Sequence, residues 1–190
     1  MDLNAKNGGG ANNMLVAAQL YQQELQQKLR ATWYDLKYQY FWPGGCEDID
    51  IPNNNYWKKQ FAFLDNDGNV TGYFSYNYCA ETNSINNFGL ISFIDYNPRF
   101  IQSVVKHLEN ILSQGHINRI EFFAYEDGPA NKGYKKLVKK FGGKQVGKLT
   151  KCSRLFDGKL HDTVFYEIFK EDYLKKNWPK CDGWRREANE

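Results

Sequence analysis

Residues 157 to 173 read DGKLHDTVFYEIFKEDY, and this stretch decides the fold because it predicts a tight turn followed by a strand. Asp157-Gly158 is a turn dipeptide. The side chains after it alternate between two faces, with one set at Thr163, Phe165 and Glu167 and the other at Val164, Tyr166 and Ile168. This period of two indicates a strand with at least one buried face.

The segments before this turn switch between strand-like and helix-like periods. Strand patterns occur at residues 58–65, 69–78, 87–96, 118–125, 144–155 and 160–169. Two helix patterns begin at Pro98 and Pro129 and stop at Gly115 and Gly142. The order helix, three strands, helix, strand, helix and two strands predicts a single α/β domain with a mixed central β-sheet flanked by helices.

The start of the chain predicts a leader followed by helix. Residues 1–13 are polar and glycine-rich, so they bury too little apolar area to offset the entropy of ordering, and we expect a flexible leader. Residues 15–41 then carry an apolar stripe that predicts one long helix or two short ones. The stripe consists of Tyr21, Leu25, Leu29, Trp33, Leu36 and Tyr40. We expect the folded domain to span residues 14–175, with a tail at 176–190.

Composition narrows the class of protein. The 190 residues are 42% apolar and 16% aromatic, which is enough for one substantial core. No apolar run approaches the roughly 18 residues of a membrane span, so we expect a soluble, cytoplasmic protein without a membrane partner. The cysteines are widely spaced at Cys46, Cys79, Cys152 and Cys181. We expect reduced, buried thiols and no metal site.

The charge is unevenly distributed although the net charge is only +3. Nine basic residues and no acidic residue lie between residues 131 and 156. Such a run indicates either a solvated helix face or a surface for an anionic ligand, and both interpretations stay open. A nucleic-acid partner is not expected, because these lysines are not interleaved with exposed aromatic residues and no binding motif accompanies them.

Residues 126 to 143 read EDGPANKGYKKLVKKFGG, and with the order of elements they carry a resemblance to the GNAT superfamily of acyl-CoA-dependent N-acyltransferases. The segment resembles the family's N-x-x-A-x-x-x-Y-x-K-x-G-F helix, and residues 157–173 resemble its closing hairpin. Two features depart from the family. Its phosphate-binding loop Q/R-x-x-G-x-G/A is absent, since residues 97–107 contain no glycine, and Gly128 stands where the family has asparagine.

The resemblance implies that acetyl-CoA binds beside the strand at residues 87–96. Its pantetheine arm would pair with that strand, and its pyrophosphate would meet the start of the next helix, where an arginine replaces the missing glycines. The implied cofactor-binding residues are Ser92, Phe93, Ile94, Arg99, Phe100, Ala130 and Lys132.

The resemblance also implies a catalytic residue, because Tyr134 matches the family tyrosine that protonates the departing thiolate. A buried core tyrosine is the alternative. Asp95 and Glu121 lie near strand ends, but their spacing does not select either as the base. A group of aromatic residues could either form a wall of the acceptor site or pack in the core, and both interpretations stay open. The group consists of Trp33, Tyr34, Tyr38, Tyr40, Phe41 and Trp42.

The expected function is therefore transfer of an acetyl or other acyl group from acyl-CoA to an amine of a small molecule or a peptide. The alternative is a catalytically degenerate protein of the same fold that acts as a binding or partner-interaction module. The sequence selects neither a particular acceptor nor an oligomeric state, since one fold hosts many functions.

Overall fold

A mixed sheet of seven strands runs through the chain, for which a computed structural model describes residues 14–43, 45–52 and 56–177. The strands are β1 Met14–Ala17, β2 Lys58–Leu64, β3 Val70–Cys79, β4 Ser84–Ser92, β5 Arg119–Tyr125, β6 Lys144–Arg154 and β7 Leu160–Phe169. Their order across the sheet is β1-β2-β3-β4-β5-β7-β6. Neighbouring strands are antiparallel except β4 and β5, which run parallel. The predicted α/β class and mixed sheet are confirmed.

The described helices are α1 Gln22–Ala31, α2 Pro98–Gln114, α3 Pro129–Phe141 and α4 Lys170–Asn177. Short 3₁₀ turns lie at Ala18–Tyr21 and Leu36–Tyr38. None of these helices is long and apolar enough to cross a membrane.

The sheet separates two cores, because successive side chains of a strand point to opposite faces. Phe74 of β3 packs in the larger core with Phe100 of α2 and Phe141 of α3. Its neighbour Tyr73 packs in the smaller core with Leu25 and other side chains from α1 and from the segment between α1 and β2.

Helices α2 and α3 have the predicted boundaries, which are set by a proline at the start and a glycine after the end of each helix. Proline occupies the first turn of each helix, where a missing N–H costs nothing. At the end of α3, Gly142 takes a left-handed conformation with φ of 81°, which a residue without Cβ adopts at little cost.

Over residues 15–41 the sequence predicted one long helix or two short ones; the long helix is wrong, and helical structure is confined to α1 and the two short 3₁₀ turns. Residues Met14–Ala17 form β1, because they hydrogen-bond to the free edge of β2, with Leu15 opposite Phe63. Helix α1 stops at Ala31, and Tyr34 has a φ of 62°, which breaks the helical period before Leu36.

At the other end of the domain, α4 was not predicted. It continues two residues past the expected boundary at 175 and ends at Asn177. The leader expected at 1–13 and residues 178–190 of the expected tail lie outside the described residues.

The expectation of buried cysteines was also wrong for the described cysteines. Cys46 and Cys79 are half-buried, and Cys152 is exposed. Cys152 is exposed because it lies on β6, an edge strand whose side chains remain largely accessible to solvent. Cys181 lies outside the described residues. Within the described ranges, no group of three or more His, Cys, Asp or Glu side chains is arranged to hold a metal ion.

The junction between α3 and β6 provides a test of packing. A Cβ atom on Gly143 would lie 2.3 Å from the carbonyl oxygen of Glu167, whereas a Cβ on Gly147 would meet nothing within 4 Å. We therefore expect Gly143→Ala to lower the free energy of unfolding by about 2 kcal/mol or more, because the backbone of β7 must move. The control Gly147→Ala is expected to change it by less than about 0.5 kcal/mol. Urea unfolding followed by circular dichroism measures both, and equal effects would contradict the packing described.

Candidate active site

A gap opens in the middle of the sheet because the parallel strands β4 and β5 separate soon after they meet. They pair only at Ser84 with Arg119 and at Ile85 with Ile120. Beyond these pairs, β4 continues to Ser92 and β5 to Tyr125 without further pairing to each other. The edge of β4 that faces the gap therefore carries backbone groups that no strand satisfies, and such an edge can pair with an extended ligand.

A bulge lies where β4 leaves β5. The register between β3 and β4 shifts between Ser75 and Asn77, so that one extra residue is inserted into β4. Asn87, at this point, has a φ of 52°. A bulge bends its strand and increases its twist, which here accompanies the divergence of β4 from β5.

A cavity of about 580 Å³ fills this gap. Its walls are β4, the end of β5, the start of α3 and the irregular segment between α1 and β2. The residues that line the cavity include Lys37, Tyr38, Tyr40, Phe41, Trp42, Glu47, Tyr73, Ser92, Ile94, Asp95, Tyr125, Gly128, Ala130 and Tyr134.

The position of Tyr134 is compatible with both interpretations of the sequence, a proton donor in the site and a tyrosine of the core. Its ring packs edge-on against Phe122, with ring centres 4.7 Å apart, and it is half-buried in the larger core. The same residue lines the cavity. Burial raises the pKa of its hydroxyl group, because the charged phenolate is poorly solvated there. The hydroxyl therefore keeps its proton at neutral pH.

The cofactor residues predicted from the sequence divide into two groups. Ser92, Ile94 and Ala130 line the cavity together with Tyr134. Phe93 packs in the smaller core, and its backbone N–H donates to Thr71 O at 3.0 Å, on the side of β3.

The other predicted residues lie apart from the cavity. Phe100 is fully buried, so a contact through its side chain is excluded. Arg99 is exposed at the start of α2. Lys132 lines a separate, shallower cavity of about 450 Å³ on α3, together with Lys135, Lys136 and Lys139. The roles assigned to these residues stay predictions.

The start of α2 is partly closed to an anion. Pro98 has no N–H, and the N–H of Phe100 donates to the side-chain oxygen of Asn97 at 3.3 Å. The Asn97 amide nitrogen in turn donates to Thr71 O at 3.1 Å, which fixes this cap. Two of the first three N–H positions of the helix are thus unavailable to a phosphate.

The two carboxylates considered as bases occupy different places. Asp95 lies at the rim of the cavity and forms an ion pair with Lys37. A hydrogen bond from Lys37 lowers the pKa of Asp95. Glu121 pairs with Arg119 at the start of β5 and is not among the cavity-lining residues. Asp95 alone of the two could contact a bound acceptor.

Four of the six aromatic residues singled out in the sequence line the cavity, namely Tyr38, Tyr40, Phe41 and Trp42. Phe41 also packs edge-on against Tyr73, with ring centres 6.3 Å apart. The hydroxyl of Tyr73 accepts a hydrogen bond from Gln60 at 2.9 Å. The segment thus fills the smaller core and provides a wall of the cavity at the same time.

One cluster near the cavity was missed in the sequence. The buried imidazole of His161 lies between the carboxylates of Asp127 and Asp157, and its ring contacts Tyr40. Asp127 lies far from His161 in sequence, and only the fold brings them together. The only signal in the sequence was that Asp157 and His161 are four residues apart. This spacing does not predict a contact in a turn that leads into a strand.

No protein-family model matches the chain, and no curated protein matches it by sequence. Solved structures do match. A spermidine N-acetyltransferase from Vibrio cholerae, in complex with CoA and spermine, is 15% identical with a TM-score of 0.64, over 85% of this chain and 97% of that one. A ribosomal-protein alpha-N-acetyltransferase in complex with coenzyme A is 15% identical with a TM-score of 0.65, over 85% of this chain and 96% of the other. The chain therefore has the GNAT fold, as its sequence predicted.

The burial of the Tyr134 hydroxyl predicts that it ionises at a higher pH than a tyrosine in solvent. Because its pKa is raised, this tyrosine should not ionise below about pH 11, where unperturbed tyrosines with a pKa near 10 already do. Tyr134→Phe should then leave the phenolate absorbance gained between pH 8 and pH 11 unchanged, although the protein has lost one of its 13 tyrosines. Ultraviolet titration of the two folded proteins measures this amplitude. A proportional decrease in the variant would place Tyr134 in solvent.

Proposed function

We propose that the protein is an acyl-CoA-dependent N-acyltransferase that transfers an acetyl group from acetyl-CoA to an amine. The observation that carries the proposal is the cavity between β4 and β5, with Tyr134 on its wall. Both N-acetyltransferases described above share this fold and were solved with coenzyme A, which supports the class of cofactor.

The described residues fit the cofactor better at one end of the cavity than at the other. Beyond Ile85, the edge of β4 is free of strand pairing, so the amides of a pantetheine arm can hydrogen-bond to it near Ser92 and Ile94. The phosphate end relies on fewer backbone donors, because Asn97 caps α2. We propose that Arg99 supplies the attraction there, with Lys132 and the backbone of Ala130 as further contacts, and that Phe100, whose N–H donates to Asn97, takes no part.

In this proposal the bound cofactor supplies an activated acyl thioester, and the chain supplies a proton. Tyr134 Oη gives its proton to the departing sulfur while the acceptor nitrogen forms its bond to the acyl carbon. The hydroxyl of Tyr134 is protonated at neutral pH, as the role requires, and burial, which raises its pKa, makes it a weaker acid than a tyrosine in solvent. The acceptor amine releases one proton to solvent at the rim, where Asp95 and Glu47 lie, and Tyr134 regains one proton from solvent, which restores its hydroxyl for the next turnover.

The acceptor would enter on the side formed by residues 37–43 and 45–49. Aromatic side chains cover much of this side, and the charged groups Lys37, Glu47 and Asp95 lie on it. The spermidine N-acetyltransferase was solved with spermine, and the other enzyme is an acetyltransferase of a ribosomal protein, which supports an amine acceptor in general. A small amine and a peptide amino group both remain within the proposal.

A second candidate function is a binding module of the same fold without transferase activity. The capped start of α2 favours it, because this helix end has fewer N–H groups to offer a phosphate. Isothermal calorimetry with acetyl-CoA separates the two candidates. Binding with a Kd in the micromolar range supports the acyltransferase, and no detectable binding at millimolar acetyl-CoA overturns it.

Arg99 provides a test of the phosphate contact. Loss of a charge-assisted hydrogen bond should weaken acetyl-CoA binding by roughly 1.5 to 3 kcal/mol in Arg99→Ala. Lys139→Ala is the matched control, since this lysine lies almost two turns beyond Lys132 on α3 and away from the gap. Calorimetry should find its affinity within about twofold of wild type. Equal affinities for both variants and wild type would remove Arg99 from the site.

Tyr134→Phe tests the proton donor. The substitution keeps the ring that packs on Phe122 and deletes the hydroxyl, so the melting temperature and the Kd for acetyl-CoA should be nearly unchanged. Turnover should fall by the roughly 10²–10⁴ that general acid catalysis contributes. Steady-state transfer to a panel of amines measures it. Normal turnover in the variant would leave Tyr134 as a core residue only.

A further inference from the structure

An ion cluster with a buried imidazole and a largely exposed Asp127 carboxylate lies directly behind the wall on the acceptor side. His161 on β7 is 5% exposed. Its Nδ1 atom lies 2.8 Å from one oxygen of Asp127 and 3.0 Å from the other. Its Nε2 atom lies 3.1 Å from Asp157 Oδ1. Both ring nitrogens therefore face carboxylate oxygens.

This arrangement determines the protonation of the ring. A carboxylate only accepts hydrogen bonds, so each ring nitrogen must carry a hydrogen to bind one. A neutral imidazole has one N–H and would direct its other lone pair at a carboxylate oxygen. The cluster is thus built for the imidazolium form, in which one cation is shared by two anions. The two carboxylates raise the pKa of His161, in agreement with this geometry.

The cluster joins three segments that are distant in sequence. Asp127 belongs to the loop that leads into α3, immediately before its N-cap Gly128. Asp157 belongs to the turn between β6 and β7, and its N–H donates to the side-chain oxygen of Gln39 at 3.2 Å. Tyr40 brings in the third segment, because its ring packs edge-on against His161 at 5.9 Å.

Tyr40 connects the cluster to the cavity. Its ring also packs against Tyr125 at 5.7 Å, and both tyrosines line the cavity. A Cβ atom on Gly128 would lie 3.2 Å from Tyr40 Cδ1, so the start of α3 and Tyr40 are in close contact. A shift of the ion cluster would therefore move the acceptor wall and the start of α3 together.

We infer that His161 is a positioning residue for the transfer reaction, and that its imidazolium holds Tyr40 and the start of α3 against the acceptor end of the cavity. The inference rests on the proposed function for its catalytic consequence. The holding itself is a property of the fold and can be measured without a substrate.

The groups that face His161 set its pH dependence. They are Asp127 before α3, Asp157 in the turn, Tyr40 after the second 3₁₀ turn, Tyr125 on β5 and Cys152 on β6, whose sulfur lies 3.7 Å from the His161 carbonyl oxygen. A raised pKa in the folded state means that the contribution of the imidazolium is complete below about pH 6.5, the value of a free histidine. It is lost as the pH rises through the folded value, so the wall should loosen in alkaline solution.

A nitrogen NMR titration of the wild-type protein tests the charge state. The two ring nitrogens of His161 should both be protonated at pH 7.5, where an unperturbed histidine is about 90% neutral. Asp157→Asn keeps the shape of the side chain and removes one anion, so it should lower the titration midpoint. A wild-type midpoint at or below 6.5, or an unchanged midpoint in Asp157→Asn, would overturn the inference.

Hydrogen exchange tests whether His161 holds the segment around Tyr40 in place. The N–H groups of Phe41 and Trp42 both donate to Tyr38 O, so they report on the segment that carries Tyr40. His161→Gln should raise exchange of these amides about tenfold or more at pH 7, while exchange in β2 and β3 stays within twofold. His116→Gln, which alters an exposed histidine, is the matched control and should leave all these rates unchanged. Unchanged rates at Phe41 and Trp42 in both His161→Gln and Asp157→Asn would overturn the inference.

Kinetics with acetyl-CoA and benzylamine as a probe acceptor test the catalytic consequence. In His161→Gln, the KM for the amine should rise about tenfold, while kcat and the KM for acetyl-CoA stay within about threefold. An unchanged amine KM, despite faster exchange, would overturn the positioning role. If the wild type neither binds acetyl-CoA nor acetylates any amine tested, the proposed function fails, and so does the catalytic half of the inference. The NMR and exchange results then decide only whether the His161 imidazolium holds Tyr40 and the start of α3 in place.

Discussion

The structure depends on the incomplete pairing of β4 with β5. Two parallel strands that meet at only two residue pairs leave a gap in the centre of a sheet, where a continuous ladder is otherwise expected. Aromatic stacking holds the gap open and covers its base. Phe88 on β4 stacks on Phe122 of β5 with ring centres 5.4 Å apart, and Phe122 stacks in turn on Tyr166 of β7 at 5.5 Å. The backbone hydrogen bonds lost in the gap are thus replaced by side-chain packing at the point where Tyr134 joins the layer.

Much of the fold could be predicted from the sequence, because local signals specify local elements. Pro98, Pro129 and Gly142 act through their own backbone preferences, and these fixed α2 and α3 to within a residue. The edge strand β1 could not be predicted, since four residues become a strand only when β2 offers a free edge. The same holds for the sheet order, in which β7 inserts between β5 and β6. Pairing between distant segments leaves no trace in the period of either segment.

The candidate site shows the same division between local and distant signals. Tyr134 was singled out because it belongs to a contiguous motif, and Ser92 and Ile94 because they lie at the end of β4 and just beyond it, and all three line the cavity. Phe93 follows the last residue of β4 and packs in the smaller core instead. Beyond the end of a strand, the faces of its side chains no longer follow the period of two, so the position of Phe93 could not be predicted from that period. The His161 cluster was out of reach, since its members lie before α3, in the turn between β6 and β7, and on β7.

The two sides of the cavity are built by different kinds of structure, and this has a consequence for their rigidity. The side proposed for the cofactor consists of β4 and the helix starts, whose geometry is fixed by backbone hydrogen bonds and by the larger core. The side proposed for the acceptor consists of residues 37–43 and 45–49, and these described residues are mostly irregular, with few backbone hydrogen bonds among themselves. Such a segment takes its position from the side chains around it. Tyr40 packs against an ion cluster that is charged in the folded state, so the position of the acceptor side responds to pH.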